Sequence, residues 1–216
     1  GCITSTGLAS KLLRAIVSAS GGVMIIALLL TMICCIVLGM GVPTTATYCI
    51  MAATCAPILM SPEIGVEMLA AHFFVFYFGI VADITPPVAL AAYAGAAIAK
   101  AGPMKTAFNA SRLAIAAFIV PYIIAMNPAM LFINTTIPEV VMITITSIIG
   151  IFGVAAGLSG FVFRNMKWWE RILCIVGGLT LLVPGSLTDL IGLVLVGAVC
   201  VLGYQAAKKE KEVLVV

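Results

Sequence analysis

Charged residues are scarce in this sequence. Of 216 residues only 11 are Lys or Arg and 8 are Asp or Glu, so 9% of the chain is charged and 63% is hydrophobic. A soluble domain usually carries about 25% charged residues, and this deficit excludes a water-facing surface over most of the chain. The basic residues occur in ones and twos beside apolar runs, which excludes a basic patch for nucleic acid.

The sequence also lacks the patterns of a metal or redox centre. Its seven cysteines form no CxxC and lie mostly in apolar runs, and His72 is the only histidine. Free cysteine in such runs behaves as a small apolar residue, so we expect no cofactor. A membrane enzyme built on Asp83 and His72 is disfavoured, because these residues are eleven positions apart with no nucleophile or metal-ligand set between them.

Long continuous apolar runs are what the chain does have, for example VMIIALLLTMICCIVL at 23–38. Transmembrane β-barrels instead alternate apolar and polar residues in short segments. The sequence therefore predicts an all-α integral membrane protein, a polytopic helical bundle. Because the first residue is Gly1 and not methionine, we expect the chain to be a piece of a longer polypeptide.

The order of the runs predicts three regions. Residues 1–21, with Lys11 and Arg14, form an interfacial or connecting segment. Residues 22–132 form the core, with runs at 22–60, 68–99 and 107–126. Residues 133–216 add further transmembrane helices and a polar tail, in which the runs 172–183 and 187–203 are short for spans of about 20 residues and form either thin spans or a second hairpin.

The basic loops alternate with loops that have no Lys or Arg. Since Lys and Arg concentrate in cytoplasmic loops, we expect the basic loops and the C-terminus inside and the others outside. Lys11 and Arg14 would then lie on the outer side of the membrane, which conflicts with the concentration of Lys and Arg in cytoplasmic loops. The basic loops are 100–106 and 164–171, and the loops without Lys or Arg are 61–67, 127–138 and 184–188.

Two apolar runs are interrupted by helix-breaking residues, in LGMGVPTTATY (38–48) and in VADITPPVAL (81–90). Non-helical backbone at membrane depth leaves unpaired N–H and C=O groups, each costing several kcal/mol in lipid. Two such segments are typical of transporters, in which carbonyls bind Na⁺ and half-helix N-termini face an anionic group. The alternative is a pair of proline kinks whose carbonyls are satisfied by neighbouring helices.

Asp83 is the only acid within an apolar run before residue 139. An acid within a membrane segment is a candidate functional residue. Three roles remain open for it: binding a cation, carrying a proton, or capping the half-helix that starts near Pro86.

The motifs G-M-G-x-P-T-T, H-x-F-x-F-Y-F and D-I-T-P-P-V-A-L occur here in that order. With them the chain, from about residue 1 to 132, closely resembles the large permease subunit (DctM-like) of TRAP transporters, and more narrowly the fused 4TM/12TM permeases of the TAXI subfamily. Residues beyond about 139 resemble the extra C-terminal helices of some fused permeases. The resemblance implies a re-entrant hairpin at 22–60, a broken helix at 68–99 and an elevator-type transport domain.

The resemblance also implies Na⁺-coupled uptake of an organic anion, usually a carboxylate, delivered by a periplasmic solute receptor. Further partners would be the N-terminal part of the permease and the lipid bilayer, in a bacterial or archaeal cytoplasmic membrane. The alternative from another class is an ion channel, because broken helices with exposed carbonyls also build selectivity filters.

Sodium ligands carried over from the family fall on the hairpin tip and on the T-P-P break. They correspond to Gly39, Ala82, Thr85 and Val88, and Ala82 stands where many relatives have glycine. Further candidates for the substrate or ion pathway are Thr44, Thr45, Asp83, Pro86 and Pro87.

Overall fold

The computed structural model describes residues 7–133, 135–183 and 185–214. These residues form α-helices with two short 3₁₀ segments, and the only β pairing among them is an isolated bridge between Phe161 and Asn165. The prediction of an all-α membrane protein is confirmed. The chain divides into two units, Gly1–Leu131 and Phe132–Val216.

The described residues of the first unit form eight α-helices, and the central one is α5, Met68–Val81. Helices α2, α3 and α8 pack against α5, which buries Phe74 and Phe78 completely. The rings of Phe74 and Phe78 lie 4.7 Å apart, and the Tyr122 ring of α8 packs edge-on against both. The helices are α1 Leu8–Ser20, α2 Met24–Gly39, α3 Thr44–Thr54, α4 Ala56–Leu59, α5 Met68–Val81, α6 Leu90–Ile98, α7 Pro103–Leu113 and α8 Ile115–Met126.

Helix α1 is amphipathic and packs against the run 22–60. Ile16 is buried in the core, with Leu12 beside it, while Lys11 and Arg14 are exposed. Residues 1–6 of the expected interfacial segment lie outside the described residues.

The helices of the run 22–60 are shorter than the roughly 20 residues that a straight crossing needs. Helix α2 has 16 residues and α3 has 11. By length and composition, two helices of the described chain are long and apolar enough to cross a membrane, Ile137–Ser159 and Leu187–Ala206, and the bent pair of α7 and α8 makes a third if it is one span.

Residues 107–126 do not form the single helix expected from their apolar run. Helix α7 ends at Leu113 and α8 begins at Ile115, with a bend of 42° between them. The Ser111 hydroxyl lies within hydrogen-bonding distance of the Ala107 carbonyl one turn earlier, a contact that bends helices because it competes with the backbone ladder. Pro121 lies inside α8 without ending it.

The described residues of the second unit form three helices: α9 Ile137–Ser159, α10 Trp168–Thr180 and α11 Ser186–Leu214. Glycines let α9 and α10 approach closely, because a Cβ on Gly150 would lie 2.9 Å from the Gly178 carbonyl oxygen. The expectation that 187–203 is short for a span is wrong, since the apolar part of its helix, Leu187–Ala206, has 20 residues and is long enough to cross. The helix that contains most of the run 172–183 begins four residues before that run, at Trp168.

Candidate functional site

The tip of the hairpin is a tight turn between α2 and α3. Helix α2 ends at Gly39, and Gly41 has a φ of 72°, a conformation that glycine adopts without strain. The Thr47 hydroxyl donates to the Val42 carbonyl at 3.1 Å, and the Thr47 amide donates to the Pro43 carbonyl. These bonds hold the tip in place while leaving the Gly39 carbonyl with one long bond, 3.4 Å from the Val42 amide.

The second interruption separates α5 from α6. After Val81 the chain makes a 3₁₀ turn at Ala82–Ile84, becomes extended at Thr85, and turns again through Pro86 and Pro87, whose peptide bond is cis. Ala89 has a φ of +36°, which is unusual for a residue with a side chain. The helix is therefore broken from residue 82 to residue 89.

The structure brings the two interruptions together at Gly39 and Ala82. A Cβ on Gly39 would lie 3.0 Å from the Ala82 Cβ and 3.2 Å from the Gly79 carbonyl oxygen. Both Gly39 and Ala82 are buried. The hairpin tip thus lies directly against the start of the break, and only the absence of a side chain at residue 39 permits that approach.

Several carbonyls of the break are satisfied by side-chain hydroxyls. Thr85 donates its hydroxyl to Val81 at 2.7 Å. Ser111 of α7 lies 3.0 Å from the Ile84 carbonyl, and Tyr93 of α6 donates to Pro87. These bonds replace the backbone donors that the break and its two prolines remove.

Other carbonyls of the break remain open. Within the described residues, no hydrogen bond reaches the carbonyls of Asp83, Pro86 or Val88, and the Ala82 carbonyl has one long bond, 3.3 Å from the Thr85 amide. The half-buried Asp83 carboxylate has no hydrogen bond or ion pair to any described residue. Open carbonyl oxygens beside an unpaired carboxylate are suited to a cation, because both carry negative charge, partial on the carbonyls and full on the carboxylate.

The other predicted site residues differ in their exposure and hydrogen bonding. Thr85 and Val88 are half-buried on the same broken segment, three and six residues after Ala82, whereas Pro87 is exposed. Thr44 and Thr45 are exposed in the first turn of α3, and their side chains make no hydrogen bond to the described part of the break.

Sequence reasoning missed two residues that shape the site, Ser111 and Met51. Ser111 lies 27 residues after Ile84, so no local pattern joined them. The Met51 side chain is completely buried and would lie within 3.2 Å of a Cβ at either Gly39 or Gly79. Because Met51 lies in the apolar run of α3, the sequence indicated only that it is a core residue.

His72, Cys34 and Cys55 form hydrogen bonds with residues outside the break. The His72 Nδ1 atom is 3.1 Å from the Tyr48 hydroxyl, which joins α5 to α3. The thiols of Cys34 and Cys55 are 3.8 Å apart. Within the described residues no three His, Cys, Asp or Glu side chains are grouped as a metal site.

Two family models match the chain. The model for the DctM component of the tripartite ATP-independent periplasmic transporter matches residues 1–140, and a domain of unknown function, DUF3394, matches residues 140–196. No curated protein and no solved structure gives a significant match. The first match covers well over half of the chain, including both interruptions and Ser111. The chain is therefore a member of the DctM family of tripartite ATP-independent periplasmic transporters, a family of membrane transport components.

Proposed function

We propose that this chain forms the C-terminal part of a permease that couples inward Na⁺ flow to the uptake of an organic anion. The observation that carries the proposal is the contact between Gly39 and Ala82, beside carbonyls that have no donor. Carbonyl oxygens at unwound helices bind Na⁺ in secondary transporters. The sodium ligands would be the carbonyls of Gly39, Ala82, Thr85 and Val88. Among the described residues the Val88 carbonyl has no donor, and the other three each accept one backbone N–H and keep a second lone pair.

The Asp83 carboxylate supplies negative charge next to these carbonyls. It has no basic partner among the described residues, so a bound cation would offset its cost in an apolar surrounding. We assign Asp83 this electrostatic role, and Pro86 and Pro87 the role of keeping donors away from the carbonyls before them.

The transported anion would be a carboxylate that a periplasmic TAXI-type receptor delivers. The half-helix N-terminus at α6 and the exposed hydroxyls of Thr44 and Thr45 at the start of α3 are the groups of this chain that suit a carboxylate. The N-terminal part of the permease would supply the other half of the substrate site. In this arrangement the run 22–60 dips into the membrane from the outside and the C-terminus is cytoplasmic.

Sodium-specific stabilisation of the purified chain tests the ion site without knowledge of the substrate. A ligand that binds only the folded state raises the unfolding temperature, so NaCl should raise it above the value in equal KCl. Thr85→Val and Gly39→Val should reduce this difference. Thr106→Val is the matched control for Thr85→Val, because Thr106 also donates to a carbonyl four residues earlier, at Gly102, but on α7.

Equal stabilisation by Na⁺ and K⁺ in the wild type would contradict the sodium site, as would equal losses in Thr85→Val and Thr106→Val. The transport function is tested separately, by uptake of labelled carboxylates into proteoliposomes that contain the complete permease. Saturable uptake that requires both sodium and the receptor supports a carrier, whereas high passive conductance supports a channel.

A further inference from the structure

Helix α7 has one side buried against the break. Ala107 is completely buried, and Ser111 on the same side contacts the Ile84 carbonyl. Helix α6 packs against α7 as well, and Ala89, Ala92 and Ala107 form a small apolar cluster there. This side of α7 is therefore covered by other parts of the first unit.

The opposite side of α7 combines basic and large apolar side chains, all of them exposed. Lys105 is exposed, and Phe108, one turn later, exposes 59% of its surface. Leu113, at the end of the helix, is 87% exposed. A surface with this mixture is typical of helices that lie at the boundary between lipid headgroups and acyl chains.

The chain segment that contains α7, residues 84–138, carries charge of one sign, and the acid that precedes it, Asp83, lies on the turn that packs against the buried side of α7. Between Asp83 and Glu139 the sequence has no acidic residue, and its three basic residues are Lys100, Lys105 and Arg112. Lys100 is exposed just after α6, at the approach to α7. Basic segments at a membrane surface attract anionic lipids.

The bend at Ala114 separates α7 from the apolar helix α8. The two helix axes differ by 42°, so α7 follows a different direction from the helix that continues into the apolar layer. This geometry is consistent with a shallow position for α7, where lysine side chains reach the headgroups while their stems cover apolar surface.

We propose that the exposed side of α7, together with Lys100, is a binding surface for anionic phospholipids of the surrounding bilayer. Lys100 and Lys105 contact the lipid phosphates, and Phe108 lies at the top of the acyl chains. Charge complementarity and the exposed apolar side chains carry this inference, and it is independent of the proposed transport function.

Lipid retention by the full chain tests the proposal. The protein is placed in nanodiscs of phosphatidylcholine mixed with phosphatidylglycerol, and the retained lipids are measured by native mass spectrometry after release. Lys100→Gln/Lys105→Gln should lower phosphatidylglycerol retention by about fivefold per lysine. Phosphatidylcholine retention should not change.

The control variant is Lys11→Gln/Arg14→Gln, which removes the same charge from α1. Both side chains are exposed, but the part of α1 whose side chains are described, residues 10–20, exposes no large apolar side chain. Phosphatidylglycerol retention by this variant should stay close to that of the wild type. Equal losses in the two double variants, or a wild type without preference for phosphatidylglycerol, would overturn the proposal.

A second measurement covers the case in which the lysine variant fails to fold. Phe108→Trp should show quenching by brominated phospholipids above that of the wild type, whose own tryptophans are Trp168 and Trp169. No additional quenching would mean that another protein surface, not lipid, covers this side of α7, and it would overturn the proposal.

Discussion

The methyl group of Thr47 lies directly against Gly79. A Cβ built on Gly79 would be 3.0 Å from the Thr47 Cγ2 atom and 3.2 Å from the Met51 sulfur. Residue 79 is thus a point at which α3 of the hairpin meets α5 without a side chain between them. Because the Thr47 hydroxyl is bonded to Val42, the same residue joins the hairpin tip to the helix that leads into the break.

Gly79→Ala should destabilise the protein by about 1–3 kcal/mol, the usual cost of overpacking, as measured by thermal unfolding in detergent. Thr47→Ser in the same chain should restore part of the loss, since serine keeps the hydroxyl and lacks the methyl group. Gly95→Ala is the control: a Cβ there has no atom within 4 Å, so alanine should stabilise helix α6 by about 0.5–1 kcal/mol. A Gly79→Ala protein as stable as the wild type would contradict this close contact.

Ser111→Ala should weaken sodium-specific stabilisation, because it frees the Ile84 carbonyl and loosens the break. Loss of one neutral hydrogen bond is worth about 1 kcal/mol, or about a fivefold change in an equilibrium constant. The measurement is the sodium concentration at half-maximal stabilisation. Ser20→Ala serves as the control, because the Ser20 hydroxyl donates to the Val17 carbonyl within α1. If both variants raise that concentration equally, Ser111 does not position the site.

Thr31→Val should leave stability unchanged or raise it by up to about 1 kcal/mol. Thr31 is completely buried, and its hydroxyl has no hydrogen-bond partner among the described residues. Thr54 provides the comparison: it is also buried, but its hydroxyl donates to the Ile50 carbonyl at 2.8 Å, so Thr54→Val should destabilise. The measurement is the free energy of unfolding of each variant. If Thr31→Val lost as much stability as Thr54→Val, the Thr31 hydroxyl would have a hydrogen-bond partner.

Glu170→Ala should destabilise the second unit by about 3–5 kcal/mol, the cost of leaving a buried charge unpaired. Glu170 is 5% exposed and accepts hydrogen bonds from the Arg164 side chain and the Lys167 amide. Glu139→Ala, at an exposed site, should change stability by less than about 1 kcal/mol. Thermal unfolding of both variants checks this. Adding Arg164→Met to Glu170→Ala should recover part of the loss, and no recovery would contradict the role of the ion pair.

The helical class and the break at residues 82–89 follow from local chemistry. Continuous apolar runs require backbone bonds within each segment, and Pro86 and Pro87 remove two donors in succession. These effects depend only on neighbouring residues, so the sequence is enough to predict them.

The contacts that complete the site depend on residues far apart in the chain. Ser111 reaches Ile84 from a different helix, and the approach of Gly39 to Ala82 depends on how α2 packs against α5. The bend at Ala114 was also missed, because neither glycine nor proline marks it and Pro121, which resembles a breaker, lies inside α8. Tertiary packing decides the first two contacts, whereas the bend follows from the Ser111 hydroxyl beside the Ala107 carbonyl one turn earlier.

The acceptors left open at Asp83, Pro86 and Val88 belong to the peptide backbone. Binding of an ion to backbone oxygens depends on the conformation of the backbone and only weakly on the identity of the side chains. If the proposed sodium site is present, substitutions at positions such as Val88, where only the carbonyl would coordinate, can accumulate over evolution without loss of coordination, provided that the local dihedral angles survive. Divergence at these positions would then be a poor guide to whether a homologue has lost its ion dependence.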